Sequence, residues 1–373
     1  MTFPLPVVQA PRLRQSSIYD LRSCPRKFLL RHRCNLRRKG YSYSRALTVG
    51  TFFHEYMAVL HRGLTVQAAD DVVNEYITTH CAEAFEAGKD PELVRVDLVS
   101  ADALARALAE LHWEFFPIDT SRFQVLEVEQ VVRNEWAEGI PDLCFLDKQR
   151  DEVWLDDHKT EGQDGLVRAA PLLFELQPRL YRLLLQEKLG RPVVGCVHNI
   201  ILKPTIEFCD KDRPWEMQPR TLTRKCKAGN KGDVVMEKVY TSDVPEYPLY
   251  LQRVRDYILA EGDYVLERDN RQANPMLLQS WVRFAGNPYS DVELMAEIQE
   301  ARRKAGHFAD SEGDPALGAN WMIEYPRHDQ SCRAHRKLCE FADICTQAPE
   351  LWPGTVSDKY EQRKEDIRYA TTG

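Results

Sequence analysis

"VWLDDHKTEG", residues 153–162, runs from valine, tryptophan and leucine into two aspartates, a histidine and a lysine, and breaks at a glycine. The apolar part reads as a buried strand. Charged groups are costly to bury unless paired, so Asp157 and Lys159 at the end of such a strand mark either an ion pair or a site. Residues two apart on a strand share a face, which puts Asp157 and Lys159 on one side and His158 on the other.

The surroundings of this stretch set the fold class. "RFQVLEVEQVVRNEW" (122–136) alternates, is rich in valine and predicts one strand. "GIPDLCFLD" (139–147) and "EVWLDDHKT" (152–160) predict two more, joined as a hairpin through "KQRD". "AAPLLFELQPRLYRLLLQEKLG" (169–190) predicts a helix ended by Gly190, and "VVGCVHNIILKP" (193–204) a further strand. The order β-β-β-α-β indicates an α/β protein with a mixed central sheet flanked by helices.

Helices are expected upstream over 16–32, capped by Ser16 or Ser17, over 44–63, stopped by Gly63, and over 65–87 and 100–116. Residues 1–120 thus form an N-terminal helical region and 121–204 the α/β core. Residues 205–246 read as an inserted loop or hairpin. Residues 247–348 form a C-terminal segment with helices over 247–268 and 288–305, a short strand "MLLQSWVRF", and a cysteine-rich stretch. Residues 349–373 read as a polar tail or peripheral helix.

The 373 residues, 43% hydrophobic and 29% charged, are those of a globular chain. No apolar run approaches the roughly 18 residues that span a membrane. "MTFPLPVVQAPRLRQ" lacks the apolar core of a signal peptide, so the cytoplasm, where thiols stay reduced, is the expected location. The net charge of −7 argues against a polyanion partner, but the distribution argues for one. In the first fifty residues eleven arginines and lysines, Arg22, Arg26 and Lys27 among them, face the single acid Asp20. This basic face is an electrostatic footprint for a polyanion. A second run, Arg220, Arg224, Lys225, Lys227 and Lys231, is either another such face or solvated surface.

Asp142, after Gly139 and Pro141, precedes the apolar "LCFL" of the strand next to Asp157. If the two strands pair, both carboxylates converge at the sheet's end and need a cation between them. Hard oxygen ligands suit magnesium or manganese. A lysine beside such a metal can orient water and offset charge on a phosphate.

Asp142, then Asp157-His158-Lys159 on the next strand, resembles the catalytic core of the PD-(D/E)XK nucleases, and further features resemble the RecB-type branch. In "GTFFHEYM" a glycine is followed by His54 on a helix. In "LQPRLYRLL" Gln177 and Tyr181 lie four apart, hence on one helical face. Glu129, in "EVEQVV", stands where the branch often carries a glutamate. The resemblance implies a restriction-endonuclease-like core and metal-dependent hydrolysis of DNA phosphodiesters, of exonuclease type, in recombination, repair or phage DNA processing. It implies metal held by His54, Asp142, Asp157 and the carbonyl of His158, with Lys159 positioning the attacking water and Gln177 and Tyr181 orienting Lys159 or contacting the DNA strand. A separate helicase or recombination protein would be the partner, since the chain has no GxxxxGK[ST] loop of its own. Two other readings stand beside this one: a non-catalytic DNA-binding or assembly subunit that retains the fold, and a metal enzyme acting on another phosphate ester.

Of ten cysteines, Cys332, Cys339 and Cys345 follow a C-x6-C-x5-C spacing. A zinc site normally shows C-x2-C pairs, although His335 keeps a zinc reading open; the alternative to any metal is that these are unrelated core thiols. Cys24, in "RSCPRKF", resembles the first ligand of the iron–sulfur members of the branch, AddB and the CRISPR-associated exonucleases. Their tail is typically C-x2-C-x5-C, so the first spacing is longer here. That resemblance implies a 4Fe–4S cluster on Cys24, Cys332, Cys339 and Cys345, clamping the two ends of the chain together.

Overall fold

The helix expected over residues 16–32 breaks at Cys24. Helix α1 (Gln15–Ser23) ends there, and α2 (Pro25–Phe28) starts anew and widens into a π turn over Leu29–Arg33. Proline forces the residue before it out of the helical region, and Cys24 is extended, at φ −161° and ψ 101°. Ser17 is not the cap itself. It sits one turn in, and its hydroxyl accepts from the Arg14 N–H at 2.9 Å.

The structure, a computed structural model, describes residues 5, 12–40, 43–162, 176–225, 230–260, 277–284, 288–305, 321–328 and 338–363. After α2 comes the short strand β1 (Leu36–Arg38), then the helices α3 (Arg45–His61), α4 (Asp70–Glu86) and α5 (Pro91–Phe115). Asp90 caps α5 by accepting from the Glu92 N–H at 2.9 Å, and Pro91 supplies the preset first turn. The core strands follow: β2 (Phe123–Val128), the two-residue β3 (Val132–Arg133) and β4 (Glu138–Gly139), β5 (Leu143–Asp147) and β6 (Glu152–Glu161). Then come α6 (Leu176–Leu189), β7 (Val193–Leu202), the hairpin β8 (Trp215–Thr221) and β9 (Val234–Tyr240), α7 (Tyr247–Ala260), β10 (Leu277–Arg283) and α8 (Pro288–Ala305). Short helices α9 (Trp321–Glu324) and α10 (Ala342–Cys345), then α11 (Trp352–Lys359) and β11 (Tyr360–Gln362), complete the elements of the described residues.

The central sheet has five strands in the order β10-β7-β6-β5-β2. β2, β5 and β6 form an antiparallel meander, β6 and β7 run parallel across α6, and β10 is antiparallel on the edge. β6 is central and covered on both faces, which explains its nearly unbroken apolar start. Val153 and Leu155 pack with α6, α1 and α8 on one face. Trp154 packs on the other, with Ala58 of α3 and Val197 of β7. Behind that face α3, α4, α5 and α7 share a second apolar core.

The strand expected over 122–136 is interrupted. Glu129 adopts the left-handed conformation, at φ +47°, and its N–H donates to the Asp142 carbonyl at 3.0 Å. A side chain with a Cβ is strained there, by about 1–3 kcal/mol, and such strain clusters at functional sites. The turn ends β2 and sends β3 into a separate pair with β4.

The N-terminal cations expected to form a basic face have partners within the fold. Arg22 pairs with Glu297 of α8. Arg26 is buried and donates from Nε to the Tyr325 carbonyl at 2.8 Å. Lys27 pairs with Asp20 at 2.7 Å, and Arg31 pairs with both Asp20 and Glu340. Arg22, Arg26 and Arg31 thus meet acids and a carbonyl of the C-terminal segment, against which α1, α2 and β1 are packed, and Lys27 meets Asp20 of α1. β1 pairs with β11, and the Tyr360 ring stacks on Phe341 at 5.7 Å. The expected polar tail therefore supplies two core residues, Trp352 and Tyr360.

Asp20 is the hub of this contact, 2% exposed and bonded to Lys27, Arg31 and His32. Burial opposes its charge, but His32, Arg31 and Lys27 outweigh it and bring its pKa to about 2. A carboxyl with a depressed folded-state pKa stabilises fully above its unfolded value near ~3.9 and loses that contribution as pH falls toward the folded one. Asp20→Asn is expected to cost about 2–3 kcal/mol at pH 7, the linkage contribution of a carboxylate held near pKa 2 in the fold. In urea titrations the difference from wild type should shrink between about pH 4 and pH 2. An equal stability at pH 7 would show that Asp20 is not the hub.

Candidate active site

The carboxyl-terminal end of β6 gathers the residues that the sequence singled out. Leu143 pairs with Asp156 at the last rung between β5 and β6, so Asp142 leaves its strand beside Asp157. Asp142 is buried, and its Oδ2 accepts from the His158 backbone N–H at 2.6 Å. His54 reaches it from α3, with Nδ1 3.3 Å from Asp142 Oδ1 and 3.3 Å from Glu129 Oε1. The left-handed turn at Glu129 is what aims that carboxylate inward.

Each of these three side chains offers a ligand atom within 4.8 Å of the others'. Two carboxylates and one imidazole at that spacing match the donor set of a hard divalent cation. The electrostatics agree. Burial works against a charge on His54, but Asp142 and Glu129 push its pKa up to about 10, so the imidazolium stands where a cation's charge is wanted. Burial likewise opposes the charge on Asp142, but His54, the His158 bond and Lys159 hold it well below the usual carboxylate range.

Asp157 lies beside this trio rather than in it. Its Oδ1 accepts from Lys159 Nζ at 2.8 Å and from Gln177 Nε2 at 3.2 Å. Lys159 Nζ also donates to Gln177 Oε1 at 3.0 Å. Gln177 and Tyr181, one turn apart on α6, face the same point, their polar atoms 3.4 Å apart. Gly139 is required here, because a Cβ on it would stand 2.3 Å from Cε1 of the Tyr181 ring. Asp157 is 1% exposed, and burial opposes its charge, but Lys159 and then His198 lower its pKa. His54 and Lys159 keep 30% and 27% of their side chains exposed, so the site opens to solvent and a substrate can reach it.

His158 behaves as strand geometry requires. Its backbone holds Asp142, and its ring turns to the opposite face, packing near Phe53, His61 and His112 of α3 and α5. The sequence reading missed His198, whose Nδ1 lies 3.6 Å from Asp157 Oδ2, and Asn199, which donates to Asp156. Both are placed by the parallel register of β6 and β7, where Asp157 stands opposite His198. No local pattern in either strand announces that register.

A family model of the PD-(D/E)XK nuclease superfamily matches residues 12–346, most of the chain. The chain belongs to the PD-(D/E)XK nuclease superfamily. The mixed five-stranded sheet flanked by helices is consistent with a restriction-endonuclease-like fold. No curated protein matches the sequence.

Cys24, Cys339 and Cys345 are separate from this site. Cys24 is buried, and Cys339 and Cys345 are half-buried and pack against the core that also holds Leu21 and Phe28, which flank Cys24. Arg327 donates to the Cys345 carbonyl at 3.1 Å. Cys332 and His335 lie outside the described residues. Among the described residues no helix is long and apolar enough to cross a membrane.

Proposed function

We propose that the protein is a divalent-metal-dependent deoxyribonuclease that degrades DNA from its ends. The observation that carries the reading is the meeting of His54, Glu129 and Asp142 beside the Asp157–Lys159–Gln177 network at one end of the sheet. His54, Glu129 and Asp142 would hold the ion, with Asp157 and the His158 carbonyl next to it. Their oxygen-rich donor set favours magnesium or manganese. A bound divalent cation supplies positive charge to the phosphoryl oxygens as the phosphorus–oxygen bond breaks.

The chain's own residues do the rest. Lys159, held by Asp157 and Gln177, is placed to orient an attacking water and to offset charge gathering on the phosphate. Tyr181 fixes Gln177. The exonucleolytic mode, the RecB-type assignment and a role in recombination, repair or phage DNA processing rest on the likeness of the motifs. We also propose that Cys24, Cys332, Cys339 and Cys345 hold a 4Fe–4S cluster. That reading is supported by the packing of Cys339 and Cys345 on the same core as Leu21 and Phe28, which flank Cys24.

Anaerobically purified protein should shorten end-labelled linear DNA in magnesium or manganese, stop in EDTA, and restart when either ion is returned. Closed circular DNA should survive. Cleavage that persists in chelator would remove the metal from the reading, and cutting of circles would replace the exonuclease with an endonuclease.

A further inference from the structure

The β8–β9 hairpin belongs to neither core, and its outward face is unusual. The register places Trp215 opposite Tyr240, Met217 opposite Lys238 and Pro219 opposite Met236. Alternation then puts all six on one face. Trp215, Met217, Met236 and Tyr240 are each between 43% and 55% exposed, although large apolar side chains are normally covered. Lys238 Nζ lies 4.5 Å from the Trp215 ring centre and 5.1 Å from that of Tyr240, so one cation is held between two rings.

The acids of the hairpin strands, Glu216 and Glu237, alternate onto the reverse face, where Glu237 is tied to Arg220 at 2.7 Å. The outward face therefore carries aromatics, thioethers and a positive charge, and no negative one. At the turn Arg224, Lys225 and Lys231 are exposed and form no ion pair among the described residues. This is the second basic run of the sequence.

β6 and β7 run parallel, with Lys159 opposite Ile200, and β7 leaves the sheet at Leu202, at the same end as Asp157 and Lys159. The hairpin follows after residues 203–214, which pack against α7 through Ile206 and Asp212.

We propose that the outward face of the β8–β9 hairpin is a stacking platform for single-stranded DNA, with Trp215 and Tyr240 taking bases and Lys238 and the turn cations taking phosphates. The inference rests on the deoxyribonuclease reading and narrows its substrate to unpaired strands. Exposed aromatics interleaved with cations are how proteins bind single strands without reading sequence. The core of a protein–protein interface is instead depleted in lysine. A duplex keeps its bases stacked on one another and offers the rings nothing.

The test is binding by the full chain in EDTA, where nothing is cut, read as anisotropy of a labelled oligothymidine of about 16 nucleotides. Trp215→Ala with Tyr240→Ala should weaken binding by at least about 30-fold, from two lost stacking contacts. Trp215→Phe with Tyr240→Phe keeps both rings and should restore it to within about threefold of wild type. Affinity for a duplex of the same length should stay within about twofold of wild type for both variants. Unchanged oligothymidine affinity in the alanine variant overturns the platform, and so does an equal loss for single strand and duplex. A variant that alters only the oligomeric state overturns it in favour of a second copy of the chain. Wild-type protein that binds oligothymidine tightly but never cuts DNA would sink the nuclease reading and leave the platform. Protein that cuts DNA while the alanine variant binds normally would do the reverse.

Discussion

Lys159→Met protein is expected to fold, to bind DNA and to cleave it at least about 100- to 1,000-fold more slowly than wild type, the usual loss when a preorganised electrostatic group is removed from a reacting centre. Methionine keeps most of the apolar stem of lysine, so packing along the end of β6 is preserved. What disappears is the ammonium held at 2.8 Å by Asp157 and at 3.0 Å by Gln177. Asp157→Asn should lose activity to a similar extent, because it keeps the shape of the network and removes its charge. Lys159 also holds the Asp157 pKa down against burial. Without it Asp157 takes up a proton at higher pH, and the residual activity of Lys159→Met should fall away sooner on acidification than that of wild type. Single-turnover cleavage of saturating end-labelled DNA separates the chemical step from binding. Wild-type rates in either variant would take the pair out of the chemistry.

Cys24→Ala protein should come off an anaerobic column colourless, while wild type should be brown and carry about four irons per chain. Cys339→Ala should behave the same, although the two positions lie at opposite ends of the sequence. Three clustered cysteines can bind some metal unaided, so Cys24 is the decisive position. The fold already brings the two ends together through β1–β11, Arg26 on the Tyr325 carbonyl, and Arg31 on Glu340. A cluster there would add its binding free energy to that of folding. Its loss should lower the melting temperature and expose the α1–α2 region to protease before the central sheet. Colourless wild type with one zinc per chain would favour a site that includes His335. A brown Cys24→Ala protein with full iron would leave the cluster but sink the clamp.

Much of this molecule is legible in its sequence where the signal is local. The apolar run into Asp157 identifies the central strand, because a strand covered on both faces must be apolar on both. Asp157 and Lys159 share a face, and Gln177 and Tyr181 share another, by the periods of strand and helix alone. Helix α8 spans the residues its pattern predicts, 288–305, and the insertion after β7 is a hairpin.

Tertiary structure decided the rest, because the deciding contacts join residues with no fixed spacing. A left-handed turn within an alternating valine-rich stretch brings Glu129 to His54 and Asp142, and the alternation hides it. His198 meets Asp157 only through the parallel register of β6 and β7. The basic N-terminus looks like a face for DNA because sequence counts charges, whereas a charge is neutralised by whatever lies within a few ångströms. Asp20 lies within that range of Lys27 through the local break between the first two helices, while Glu297 and Glu340 reach Arg22 and Arg31 only through the packing of the two chain ends.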